Sequence, residues 1–171
     1  MAEYSGAIPS AENLAAAVLE TLVSSGRTIA VAESCTGGML GTVLTSLPGS
    51  SQAMQGGVIA YSNEVKQRLL GVPAAVITDH GAVSGETASA MARGVAHCSR
   101  ADVAVAITGI AGPGGGTPDK PVGKVWFAWS IGGTVVAEQV RFRGDRATVR
   151  AEAVRWALHR LVELLATASG R

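Results

Sequence analysis

The segment Ala32-Glu33-Ser34-Cys35-Thr36-Gly37-Gly38 leaves an apolar run and enters a second one through two adjacent glycines. A strand that turns into a helix in this way aims free backbone N–H groups and the positive helix end at one spot. A hydroxyl placed there can attack a carbonyl while those N–H groups hold the developing oxyanion. The same groups can instead hold a phosphate, and an ordinary Ser/Thr N-cap followed by tight packing fits the spacing equally well. Cys35 reads either as an activated thiolate at a helix start or as a small buried hydrophobe.

A second glycine-rich stretch, Thr108-Gly109-Ile110-Ala111-Gly112-Pro113-Gly114-Gly115-Gly116, follows the alternating run Val103, Val105, Ile107. It lacks the Gly-Lys-Ser/Thr of a Walker A loop and does not read G-x-G-x-x-G, so neither nucleotide fingerprint is present. Starting at a strand end, it is placed to approach a ligand backbone-first; a flexible surface loop is the alternative. Tyr61-Ser62-Asn63-Glu64-Val65-Lys66 sets a phenol at a strand end and a lysine about one helical turn later, where a solvated lysine is the commoner arrangement. Arg146 and Arg150 stand at i and i+4 in the first turns of the last helix, where the dipole disfavours cations. They are expected to share an anion, or else to pair with Asp145 and Glu152. His80, His97 and His159 are too scattered for a metal-ligand spacing, there is no Ser-x-x-Lys, and no metal or cofactor is expected.

These segments need a scaffold, and 171 residues suffice for one domain, read here as 1–171 with an ordered core over about 10–166. Hydrophobic residues at 47% against 16% charged exclude disorder over most of the chain. A net charge of +1 leaves no field to draw the chain non-specifically onto nucleic acid or an anionic membrane, and 4% aromatics weaken a stacking platform for single strands. Any anion site must be local. Two cysteines make neither a disulfide framework nor a four-ligand metal site. Met1–Ser10 carries Glu3 and no apolar core, and no run approaches a membrane span, so a cytoplasmic protein is expected.

The spacing of Leu14, Val18 and Leu22 predicts a helix from Ser10 to Gly26, followed by a buried strand over Thr28–Ala32. Further helices are predicted over Gly37–Leu47, over Asn63–Leu70 and from Ser84, and strands over Gly57–Tyr61 and Ala101–Thr108. Gly132-Gly133 signals a hairpin joining Val122–Ile131 to Thr134–Phe142, and Asp145 caps a last helix that frays after Thr167. Alternating strands and helices followed by a hairpin give an α/β fold: a mixed, mostly parallel sheet with an antiparallel hairpin and helices on both faces. In such sheets ligands gather at the carboxyl ends of strands, so Glu33–Gly38 and Thr108–Gly116 meet if their strands are neighbours.

In chain order, Ala32–Gly38, Tyr61-Ser62-Asn63-Glu64 with Lys66, His80-Gly81-Ala82-Val83-Ser84, Thr108–Pro113 and Lys120-Pro121-Val122-Gly123 resemble the carboxy-terminal domain of the competence/damage-inducible protein CinA, from about Ser10 to Leu165. The five motifs together are specific where one alone is not. The resemblance implies a three-layer α/β/α fold, no metal, and a serine nucleophile working with a lysine. These roles fall on Ser34 and Lys66, with Tyr61 beside them. The family's stand-alone form is nicotinamide-nucleotide amidohydrolase, so the implied reaction is hydrolysis of nicotinamide mononucleotide (NMN) to nicotinate mononucleotide and ammonia in pyridine nucleotide recycling. Longer members carry an amino-terminal pyrophosphatase-type domain, for which this length leaves no room.

The implied chemistry also follows from what amide hydrolysis requires: a nucleophile, a base that later protonates ammonia, and oxyanion donors. With no suitable His motif, Lys66 serves as base for Ser34, and backbone N–H groups near Thr36, Gly37 and Gly38 receive the oxyanion. Glu33, Cys35, Thr108, Gly109 and Gly112 then contact substrate, and Arg146 or Arg150 takes the phosphate. A homo-oligomer, dimer or trimer, is expected. The rival from another class is a binding or regulatory module linked to competence or DNA damage, with the same anion-friendly loops and no turnover.

Overall fold

Ser10 opens helix α1 (Ala11–Ser24): its hydroxyl accepts from the Asn13 amide at 3.2 Å, and Leu14, Val18 and Leu22 form its buried stripe. The structure is a computed structural model and describes residues 9–169. The reading of Met1–Ser10 as free of a leader falls almost wholly outside those residues. Strand β1 (Ile29–Glu33) is buried throughout and pairs in parallel with β2 (Met54–Ile59) on one side and β3 (Val103–Gly109) on the other. Strands β4 (Lys124–Ile131) and β5 (Thr134–Arg141) add antiparallel beyond β3, joined at Gly132 and Gly133, which take φ +55 and +84. The order β2-β1-β3-β4-β5 is the mixed sheet expected, with its parallel strands together.

The sheet's two faces differ because strand side chains alternate. Ile29 and Val31 of β1 and Val103, Val105 and Ile107 of β3 face α1, α2 (Met39–Thr45) and α6 (Arg146–Ser169). Ala30, Ala32, Ala104 and Ala106 face the other way, towards α3 (Asn63–Leu70) and α5 (Gly85–Ser99), with α4 (Ala74–His80) packed on α5. Branched side chains fill the wider layer, each contributing roughly 1.5–3 kcal/mol by burial. Alanines let α5 lie close on the opposite face. The result is the three-layer α/β arrangement.

Several details differ from the sequence reading. Helix α2 begins at Met39, because Gly37 and Gly38, at φ +60 and +94, are spent on the turn before it. Strand β2 starts at Met54, since its register against β1 begins at Ile29↔Met54. Helix α4 is an addition to the expected elements, and it has no buried residue to give it an apolar period. The last helix reaches Ser169.

Candidate active site

β1 and β3 are neighbours, so the chain leaving β1 at Ser34 and the chain leaving β3 at Gly109 emerge side by side. They line a cavity of about 270 Å³ that also takes in Cys35, Tyr61, Lys66, Ala82 and Arg146. A larger cavity, about 470 Å³, lies between α2 and the edge strand β2 and touches neither Ser34 nor Lys66.

Ser34 follows Glu33 on the alternating strand and therefore faces the α3 layer. Helix α3 is capped by Ser62, whose hydroxyl accepts from the Val65 amide, and one turn in it carries Lys66 inward. Lys66 is 1% exposed and its Nζ donates to Ser34 Oγ at 3.2 Å, to the Ala60 carbonyl at 2.7 Å and to the Tyr61 carbonyl at 3.4 Å. No carboxylate pairs with it among the described residues. Burial pulls its pKa below the usual lysine value, with the neighbouring Cys35 acting weakly the other way. In its neutral form the amine would give its two N–H bonds to the two carbonyls and keep its lone pair for Ser34 Oγ. That arrangement can take a proton from the hydroxyl.

The turn 34–38 departs from expectation. Glu33 does not face the cavity: its carboxylate accepts from the amides of Gly38 and Leu40 at 3.1 Å each and of Gly41 at 2.8 Å. The Gly37 amide donates to the Ser34 carbonyl at 3.1 Å. Gly37 and Gly38 are thus not free oxyanion donors. Among the described residues the amides of Cys35 and Thr36 donate to no other residue, and Cys35 lines the cavity. The Cys35 thiol is buried and pushed up to about 11, chiefly by burial, with Glu33 adding to it, so it stays protonated. Thr36 is fully buried and lies outside the cavity lining.

Across the cavity, Thr108 lines the space and donates its hydroxyl to the Ala82 carbonyl at 2.8 Å. Gly109 and Gly112 form wall. Arg146 reaches over from α6, donating to the Gly112 carbonyl at 2.9 Å and to the Tyr61 hydroxyl at 3.1 Å. Tyr61 is 60% exposed, its ring at the rim. Arg150 donates to the Thr36 carbonyl at 2.8 Å and does not line the cavity. The two arginines therefore neither flank a common space nor pair with Asp145 and Glu152. Asp145 caps α6 through the Thr148 amide, and Glu152 takes Arg155.

Residue types give no sign of the Ala60 and Tyr61 carbonyls, because backbone groups are common to every residue, whereas the Ala82–Val83 wall falls within the His80–Ser84 motif. Lys120, donating to the His80 carbonyl at 2.7 Å, ties the glycine loop to that wall. Among the described residues no group of three His, Cys, Asp or Glu side chains could hold a metal ion, and no helix is long and apolar enough to cross a membrane.

The CinA C-terminal domain model matches residues 11–165. The chain belongs to this family. A CinA-like protein of Gemmatimonas aurantiaca is 52% identical over 159 residues, covering 93% of this chain and 37% of that protein. One from Mycolicibacterium vanbaalenii is 54% identical over 137 residues, 80% of this chain and 32% of the relative. The chain thus spans about a third of the length of these curated CinA-like relatives. Among solved structures, a CinA superfamily protein from Klebsiella pneumoniae superimposes with a TM-score of 0.90 at 38% identity, covering 93% of this chain and 99% of the other. The competence/damage-inducible protein of Agrobacterium tumefaciens gives 0.88 at 40%, covering 94% and 99%.

Proposed function

We propose that this CinA-family chain hydrolyses the carboxamide of NMN to nicotinate mononucleotide and ammonia. The observation that carries the reading is the buried Lys66 amine 3.2 Å from the Ser34 hydroxyl, with no carboxylate beside it to hold its proton. Ser34 Oγ attacks the amide carbon as its proton passes to Lys66 Nζ. The negative charge on the carbonyl oxygen is met by the Cys35 N–H, the amide that follows the nucleophile. The C–N bond then breaks, Lys66 returns the proton to the departing nitrogen, and ammonia leaves an acyl-enzyme ester at Ser34. Water, deprotonated by the now neutral Lys66, attacks that ester; the acid is released and Ser34 recovers its proton.

The cavity of about 270 Å³ takes the pyridine ring and its amide. The 5′-phosphate lies at the mouth beside Arg146, whose guanidinium is already oriented by Tyr61 and Gly112. Arg150 supports the turn through Thr36 and makes no contact with substrate. The protein works in the cytoplasm as a homo-oligomer, dimer or trimer. The decisive experiment measures ammonia and nicotinate mononucleotide formed from NMN by the wild type and by Ser34→Ala. Activity lost in the variant with its fold intact supports the reading. Tight nucleotide binding with no turnover in the wild type would point instead to a binding module.

A further inference from the structure

Glu33 is a buried carboxylate that the proposed chemistry does not use. It is 1% exposed and has no cationic partner among the described residues. A charge in that position is costly unless hydrogen bonds replace its water. Here they do. Oε2 accepts from the Gly38 and Leu40 amides at 3.1 Å each, and Oε1 accepts from Gly41 at 2.8 Å. These amides belong to the first turn of α2, a helix of only seven residues whose N-cap, Gly38, offers no side-chain acceptor. So short a helix is marginal by itself, and a carboxylate on its orphan donors is what holds its start in place.

Glu33 is also the last residue of β1, immediately before Ser34. Its own carbonyl accepts from the Ala60 amide at 2.7 Å, so its backbone is locked into the sheet while its side chain grips residues 38–41. The turn 34–38 is therefore pinned at both ends by one residue. Because strand side chains alternate, the carboxylate lies on the α2 face and the Ser34 hydroxyl on the α3 face. The charge is spent on amides and forms no ion pair with Lys66.

We propose that Glu33 is a positioning residue for the reaction at Ser34. By clamping the first turn of α2 it holds the Ser34 hydroxyl and the Cys35 N–H where a tetrahedral intermediate needs them, and it removes the Gly38, Leu40 and Gly41 amides as competing anion donors. This inference rests on the amidase reading above.

The test compares wild type, Glu33→Gln and Glu33→Asp. Gln keeps the size but turns an NH2 towards backbone donors, and Asp keeps the charge but falls a methylene short. Four quantities are measured: kcat and KM for NMN, the affinity for nicotinate mononucleotide, and the affinity for pyridine-3-boronic acid, which forms a tetrahedral adduct with a serine hydroxyl. Glu33→Gln is expected to lose about 10- to 100-fold in kcat and by a similar factor in boronate affinity, with KM and product affinity nearly unchanged. A general loosening of the fold would weaken product binding as much as adduct formation. Equal losses in both, or wild-type values for kcat and boronate, overturn the inference. If Glu33→Gln does not fold, Glu33→Asp is read by the same criteria. A wild type that neither hydrolyses NMN nor forms the adduct overturns the amidase reading and this inference together. An active wild type with unaffected variants overturns this inference alone.

Discussion

Lys66 Nζ and Ser34 Oγ, 32 residues apart in the chain, lie 3.2 Å from each other in a buried space. Arginine at position 66 would keep a positive charge there but cannot give up a proton in a protein. Lys66→Arg is therefore expected to be as inactive as Lys66→Ala, with NMN turnover reduced roughly 10²-fold or more if the lysine is the base. Substantial turnover in Lys66→Arg, with an unchanged pH profile, would mean that Ser34 takes its base from elsewhere.

The buried lysine also leaves a signature in stability. Unfolded, Lys66 titrates near 10.5; folded, burial holds it lower. Below the folded value both states carry the proton. Between the two values the unfolded chain binds more protons, so stability rises with pH by up to about 1.4 kcal/mol per pH unit. Lys66→Met lacks this term. Urea unfolding of both proteins from pH 7 to 10.5 should show the wild type gaining on the variant as pH climbs, and a constant difference would assign Lys66 an ordinary pKa.

Cys35 lies beside the proposed nucleophile but its thiol is pushed up to about 11, so almost no thiolate exists at pH 8. Iodoacetamide at that pH should label the exposed Cys98 and spare Cys35, as read by peptide mass spectrometry. Cys35→Ala should retain most of the NMN turnover. Loss of activity in Cys35→Ala, with activity kept in Ser34→Ala, would reverse the assignment of the nucleophile.

Arg146 stands at the mouth of the cavity and Arg150 behind the turn, so of the two it is Arg146 to which the proposal assigns the phosphate. Remote binding energy of this kind orients the reacting centre. Nicotinamide riboside should have a much lower kcat/KM than NMN, and Arg146→Ala should shrink that ratio towards one. Equal kcat/KM values for the two substrates in the wild type remove the phosphate site.

On α5, Gly94 packs directly under the Leu70 carbonyl at the end of α3, and a Cβ there would run into that carbonyl. Backbone cannot step aside as a side chain can. Gly94→Ala is expected to destabilise by about 1–3 kcal/mol, read as a shift in the denaturation midpoint. Because α3 carries Lys66, NMN turnover should fall as well. Unchanged stability would mean that the α3–α5 contact is looser than the structure has it.

Much of the architecture lies in local pattern. The period of Leu14, Val18 and Leu22 and the alternation of Val103, Val105 and Ile107 mark a helix and a strand without any knowledge of their neighbours. Gly132-Gly133 marks the hairpin, and the order of the five motifs is enough for the family. Helix α4 was not legible, since nothing on it is buried and no period appears. Tertiary structure alone decided that β1 lies between β2 and β3, which brings Ser34 beside Lys66 on the helix after β2 and beside the glycine loop after β3. It also turned Glu33 from the cavity to the start of α2, and gave Arg146 and Arg150 carbonyl partners where carboxylates or a shared anion were expected. The physical reason is common to all three. Alternation along a strand tells which residues share a face but not what covers it, and the backbone amides and carbonyls that take Glu33, Arg146 and Arg150 are the same for every residue type.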